Sequence, residues 1–293
     1  MANSALLKSS ITKKYWMALT GLFLCLFLVG HLLGNLQLLM PNASQKFNEY
    51  ALFMTTNPAV KILSYVTYIS ILFHAVDGFL LTIKNSKARP VKYVKSNPSA
   101  NSSFASRNMA VLGTLLLVFI VTHMVNFWAK MHFDKNMPLM TKTITTPQGS
   151  KEFYVGTAAG QYYMVDQVAK ENEKPNETDA DGHIPMPKQL KIVNGTDLYN
   201  AQANVKIGSL YKDLHKITVD FFRCPKLGLV YTLGYVLAML VLAFHLWHGF
   251  QSAFQSLGIN NRFTPTIKFV GKAFAVIVPL LFALIPLYIH FTK

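Results

Sequence analysis

The sequence predicts an all-α membrane protein: five transmembrane helices, the first four forming a bundle, with an external polar insert between helices three and four. Three observations carry that expectation. Of the 293 residues 52% are apolar and only 14% charged, against about 25% charged in a usual soluble domain. Five apolar stretches are each long enough for a bilayer core about 30 Å thick, which takes roughly 20 helical residues. Charge is also uneven: 12 of the 28 Lys and Arg lie in three segments with no acid at all, 1–14, 84–107 and 255–272, whereas 130–226 holds 13 bases and 11 acids. The net charge of +15 therefore points to a membrane with a basic side and not to nucleic acid.

The spans run over 15–40, 62–83, 108–129, 227–251 and 267–291, each bounded by charge or proline. The first is longer than the 7 to 15 residues of a signal-peptide core, lacks a small-x-small cleavage site and carries His31 and Asn35, so it reads as a retained helix. Threading five spans puts the three acid-free basic segments on one side. By the positive-inside rule the N-terminus is cytoplasmic and the C-terminus outside. The chain thus divides into 1–131, with helices one to three and the N-terminal cytoplasmic segment, 132–225, the external insert, and 226–293, with helices four and five.

The insert is too long for a structureless link. Leu190–Val193 followed by Asn194-Gly195 reads as a strand and turn, and 209–222 has apolar residues at helical spacing, so a small subdomain with a thin core is expected. Residues 169–182, rich in acids, read as mobile. The Asn-x-Ser/Thr matches at Asn101, Asn176 and Asn194 are too short to carry weight. Cys25 and Cys224 are the only cysteines, which excludes a disulfide framework, a zinc site and CxxCH haem attachment. No GxGxxG, GxxxxGK[ST] or HExxH is present, so the chain is not expected to bind an organic substrate itself.

Each of the first four spans carries histidine: His31, His74, His123, and His245 with His248. An ionisable side chain at membrane depth is costly and faces a bundle interior, where it serves a ligand, a proton path or a polar contact. Four in four consecutive helices favour ligation. Two imidazoles complete a six-coordinate haem iron, so four make a dihaem bundle. With 1.5 Å rise per residue, His31 and His123 fall roughly 5 to 7 Å past the centres of outward-running helices. His74 and His245 fall roughly 2 to 9 Å past the centres of inward-running ones. Two layers result, His31 with His123 in the outer and His74 with His245 in the inner. Gly30, Gly34, Gly78 and Gly249 near these histidines would leave room for a macrocycle or let helices approach. His132, His183 and His215, in the insert, read as solvated surface histidines, and Asp77 as either a proton relay or a carboxylate paired with a neighbouring helix.

The runs Ser9-Ser10-Ile11-Thr12-Lys13-Lys14, Met17-Ala18-Leu19-Thr20-Gly21-Leu22, His31-Leu32-Leu33-Gly34-Asn35-Leu36 and Phe47-Asn48-Glu49-Tyr50-Ala51 resemble the cytochrome b subunit of succinate dehydrogenases and quinol:fumarate reductases, of the single-chain, five-helix, dihaem kind. The resemblance covers all five spans and is most specific in the first two; the long insert departs from it. It implies axial ligands at His31, His74, His123 and His245, the last because Gly249 and Gly258 follow at the family's spacings of four and thirteen. His248, three residues from His245, could be the ligand instead, bond a propionate or line a quinone pocket, although it meets neither spacing. The family's transmembrane proton-path Glu is replaced by Ala243, which leaves Asp77 as another route. Glu49 resembles in position an acid used near the quinone site, where Asn35 and Gln37 could also bond quinone carbonyls. The resemblance further implies two haem b, a quinone (menaquinone by that resemblance), and flavoprotein and iron-sulfur subunits on the cytoplasmic face of the inner membrane, with the dicarboxylate site on those partners. Other readings are the cytochrome b anchor of a hydrogenase or formate dehydrogenase, and a His/Asp proton-coupled transporter. Against the former, no span carries two histidines about thirteen or fourteen residues apart, a spacing many cytochromes b show.

Overall fold

A computed structural model describes residues 9–88, 90–91, 97–147, 149–171, 173 and 188–292. Five helices are long and apolar enough to cross a membrane: Ser10–Leu39, Pro58–Lys87, Met109–Phe133, Gly228–Ser256 and Thr264–Thr292. The chain is a multi-pass membrane protein, mostly helical. We label its longer helices α1 (Ser10–Leu36, continuing as a 3-10 turn over Gln37–Leu39), α2 (Ala43–Thr56), α3 (Pro58–Lys87), α4 (Met109–His123, continuing as a π-helical stretch over Met124–Ala129), α5 (Leu214–Phe222), α6 (Gly228–Ser256) and α7 (Thr264–Thr292).

Several helices outrun the apolar stretches that announce them, because their ends are stabilised by polar groups. At the start of α3 the Asn57 side chain accepts the Ala59 and Val60 N–H groups at 2.9 and 3.2 Å, and Pro58 needs no amide partner there. Lys84 and Lys87 in its last turn complement the negative end of the helix dipole.

The chain forms two compact units: Met1–Met40, Thr56–His123 and Phe221–Lys293 make the first, and Pro41–Thr55 with Met124–Asp220 the second. In the first unit α1 packs on α3 and α6, and α4 packs on α3 and α6, so these four helices close a ring, with α7 laid against α6 and α1. Gly271 allows α7 to approach α6 closely, since a Cβ there would lie 2.6 Å from Phe250 Cδ1. Pro279 and Pro286 in α7 are buried, against protein, where neighbours can satisfy the carbonyls that proline frees. His290 Nδ1, near the end of α7, bonds the Phe222 carbonyl at 2.7 Å. The outward faces are apolar, with Leu26, Ile62, Leu237 and Leu280 exposed, as lipid requires.

The second unit contains strands. β1 (Thr141–Thr146), β2 (Gly149–Val155) and β3 (Tyr162–Met164) form an antiparallel sheet. β4 (Val168–Ala169), β5 (Leu190–Val193), β6 (Asp197–Asn200) and β7 (Lys206–Ser209) form a second, with only β4 and β5 parallel. β5 and β6 meet at Asn194 and Gly195, whose φ values of 53° and 75° are the left-handed pair a tight hairpin needs; Glu171 accepts both their N–H groups, at 3.1 and 2.8 Å. Helical spacing over 209–222 yields a shorter helix than expected, because Ser209 is spent pairing with Asp197 in the sheet and Asp213 Oδ1 starts α5 by accepting the Lys216 N–H at 2.8 Å. The core is better filled than the sequence implies: Leu198 and Leu210 are almost wholly buried beside Tyr154, Val168 and Ile192. Residues 172 and 174–187, with Asn176 and His183 among them, lie outside the described residues. Lys206 and Ser209 bond Asp197 at 2.7 and 2.9 Å and, with the Lys206 contact foremost, hold its carboxyl below the usual range.

Helix α2, which no apolar stretch announces, buries Ala43, Phe47, Asn48 and Ala51. Asn48 ties it to the start of α5: its amide donates to Asp213 Oδ1 at 2.8 Å and its carbonyl oxygen accepts the His215 N–H at 3.0 Å. Asn48→Ala removes both bonds and should destabilise this unit by about 1–3 kcal/mol. Limited trypsinolysis should then cut within 130–226 at a lower temperature than in the wild type, and an unchanged cleavage midpoint would show that the amide contributes nothing.

Candidate functional site

The ring of α1, α3, α4 and α6 sets the geometry of the histidines. His31 on α1 meets His123 on α4, with ring centroids 5.8 Å apart and planes at 90°. His74 on α3 meets His245 on α6 at 6.2 Å and 68°. Both pairs run across the diagonals of the ring, between helices that are not neighbours in it.

Their levels follow from what each ring touches. His74 Nδ1 bonds the Met17 carbonyl at 3.2 Å, and a Cβ on Gly21 would lie 3.1 Å from His74 Cε1. His31 therefore sits ten to fourteen residues further along α1, roughly 15–20 Å at 1.5 Å per residue. On α4 a Cβ on Gly113 would lie 3.7 Å from His245 Cε1, and His123 is ten residues further along that helix, again about 15 Å. The two helices give the same answer. Span centres put the levels roughly 7 Å apart by His31 and His74 but roughly 16 Å apart by His123 and His245; the contacts agree with the second, because the spans do not cross the membrane in step.

The surroundings of the two pairs differ. His31 stacks on Phe27 at 5.3 Å and His123 on Phe119 at 5.7 Å, the same i−4 relation in both helices. The Tyr235 hydroxyl approaches His123 Nδ1 at 3.4 Å, and the Asn35 amide lies 3.5 Å from His31 Nε2 while donating to the His31 carbonyl at 2.8 Å. At the other pair, Thr20 Oγ1 and the Met17 carbonyl face His74 Nδ1. His245 Nδ1 is buried with no hydrogen-bond partner among the described residues. Gly21, Gly113, Tyr235 and Thr20 are the functional neighbours that sequence reasoning did not single out. Of the glycines it did single out, Gly30 would meet nothing within 4 Å, and Gly78 and Gly249 would make only ordinary contacts, with Met17 and Met109.

Asp77, the single acid in the sequence of the first unit, is buried and lies 3.8 Å from Lys13 Nζ, one turn beyond His74 on α3. Glu49 is exposed on α2 in the second unit and accepts a hydrogen bond from Gln45 at 2.8 Å. The structure therefore assigns Glu49 and the histidines to different units. Gln37 lies in the 3-10 turn after α1. His248 is partly buried, and His74 faces His245 instead. His132 is exposed and stacks on Trp128 at 4.7 Å, whereas His215 is partly buried with its ring 6.5 Å from that of Phe47, so it is not the solvated surface histidine expected.

Chemically, paired neutral imidazoles suit an iron whose other ligands come from a macrocycle. Two metal–nitrogen bonds of about 2 Å, with the ring radii added, set the centroids of a bis-histidine iron about 6 Å apart. Both pairs fit that spacing. No group of three or more His, Cys, Asp or Glu that could hold a bare ion occurs among the described residues.

The Lys13–Asp77 pair has its own consequence. Lys13→Met leaves a buried carboxylate without its cation, which typically costs about 3–5 kcal/mol. Thermal unfolding in detergent should show Lys13→Met to be less stable than the double variant Lys13→Met/Asp77→Asn; equal stability would mean the pair is not coupled. Set against known protein families, curated proteins and solved structures, the chain matches none of them.

Proposed function

We propose that this chain is the membrane anchor and dihaem cytochrome b subunit of a succinate:quinone oxidoreductase, a succinate dehydrogenase or fumarate reductase. The observation that carries the reading is the meeting of four membrane-helix histidines as two diagonal pairs at two levels. The runs that resemble the family add the kind of complex. In this reading His31 with His123 and His74 with His245 would hold the irons of two haem b. When bound, these groups supply one-electron transfer across the membrane between a quinone and the iron-sulfur and flavin centres of partner subunits.

The chain's own residues bind, orient and exclude. Phe27 and Phe119 hold the rings of one pair by stacking, and the apolar faces of α1, α3, α4 and α6 keep water from both. Lys13 balances the charge of Asp77, whose carboxylate stands one turn from His74 and can hold a proton at that level. Asn35 and Gln37 are the polar groups the first unit offers for quinone, and Glu49, in the second unit, is a separate candidate for quinone-linked proton transfer. The acid-free segments 1–14, 84–107 and 255–272 make the cytoplasmic side, where soluble partners or anionic lipid would dock, and the insert stands on the other side of the inner membrane.

Two measurements test this. Solubilised under mild conditions, the chain should bring down a flavoprotein and an iron-sulfur protein, and succinate should reduce its haem; a chain that carries haem but responds only to hydrogen or formate belongs to another respiratory complex. For orientation, a cysteine at Lys151 should react with an impermeant maleimide in intact cells and one at Lys268 should not. The reverse pattern inverts the topology.

A further inference from the structure

We propose that Met17, Thr20 and Gly21 form a seat on α1 that fixes His74 with its proton on Nδ1 and so presents Nε2 as the metal-binding nitrogen, with Thr20 as a positioning residue. The proposal rests on the dihaem reading above. Its basis is a count of donors. His74 Nδ1 lies 3.2 Å from the Met17 carbonyl oxygen and 3.3 Å from Thr20 Oγ1. A carbonyl can only accept. A hydroxyl has one proton, and Thr20 directs its own at the Trp16 carbonyl, 2.7 Å away, with the Met17 carbonyl second at 3.2 Å. Toward His74 it has only lone pairs left. Both neighbours of Nδ1 are thus acceptors, so Nδ1 carries the proton and Nε2 is bare.

Gly21 completes the seat by its lack of a side chain. A Cβ there would stand 3.1 Å from His74 Cε1 and 3.5 Å from Nδ1, so alanine would push the ring away from both acceptors. The three residues occupy positions i, i+3 and i+4 of one helix face, directly beneath the imidazole. Its partner has no such support, since His245 Nδ1 finds no hydrogen bond among the described residues. A ligating histidine that donates its other N–H to an oxygen is the more basic ligand, and a stronger donor favours the oxidised iron, so the seat lowers the potential of this site relative to one without it.

The test compares Thr20→Val, which keeps the shape and removes the oxygen, with Thr20→Ser, which restores it, in redox titrations of the full chain. The component belonging to His74 is the one lost in His74→Ala. In Thr20→Val both haems should remain, this component should move to higher potential with an altered low-spin resonance, and the other should stay in place; Thr20→Ser should bring it back. Gly21→Ala should lower the occupancy of the same site alone. A wild-type potential in Thr20→Val, or an equal shift of both components, overturns the seat. If the wild-type chain binds no haem, the dihaem reading fails instead, and nitrogen-15 NMR of the labelled histidines then decides the seat: a His74 proton on Nδ1 supports it and one on Nε2 overturns it.

Discussion

An imidazole on a membrane-crossing helix has two ring nitrogens and no water to satisfy them, so its neighbours must do so or the helix is costly to insert. Most of what is particular about the first unit follows from that constraint applied four times. The ring order of α1, α3, α4 and α6 turns His31 toward His123 and His74 toward His245. Gly21 and Gly113 clear space beside the rings of the second pair, and Phe27 and Phe119 hold those of the first. His74 Nδ1 is met by Met17 and Thr20, His123 Nδ1 by Tyr235 and His31 Nε2 by Asn35, whereas His245 Nδ1 finds no partner among the described residues. A bundle that wanted only stability would have used leucine at all four places; the cost of the polar rings is intelligible if they hold something.

The two units are built by different rules. The first carries a single acid, Asp77, held by Lys13, and its outward side chains are those lipid accepts. The second carries the other acids and is closed by polar latches: Asn48 between α2 and α5, Glu171 at the hairpin, and Glu173 with Lys188, whose ammonium holds that carboxyl below its usual range. Burial pushes the Tyr211 hydroxyl in the opposite direction. These groups would be ruinous at membrane depth and are ordinary in water. Uneven acid content along the sequence thus maps onto two folding environments.

What the sequence made legible is what composition and period encode. A span of twenty apolar residues has no competing solution, so all five helices could be read directly, and histidines in four of them stood out because lipid tolerates few. The left-handed Asn194-Gly195 turn was readable for a similar reason, since few other residues adopt that backbone. The short strands of the insert were not, because runs such as Lys206–Ser209 or Val168–Ala169 owe their conformation to sheet partners and hardly at all to their own pattern. Helix α2 was missed because its buried face centres on Asn48, a polar residue that no hydrophobic periodicity reports. The neighbours of the histidines were missed for a geometric reason: Gly21, Thr20, Gly113 and Tyr235 lie on other helices, and which turn of one helix faces which turn of another depends on offsets between spans that a single sequence does not record. The same ignorance made the two levels seem closer than they are when judged by His31 and His74, though not when judged by His123 and His245.

The diagonal pairing of the histidines is therefore the claim on which the account rests, and reduced-minus-oxidised spectra of single-alanine variants test it most directly. His31→Ala and His123→Ala should each remove one and the same low-spin component, and His74→Ala and His245→Ala should each remove the other. Loss of a common component in His31→Ala and His74→Ala would contradict the pairing, and a wild-type chain without haem bands would contradict the account altogether.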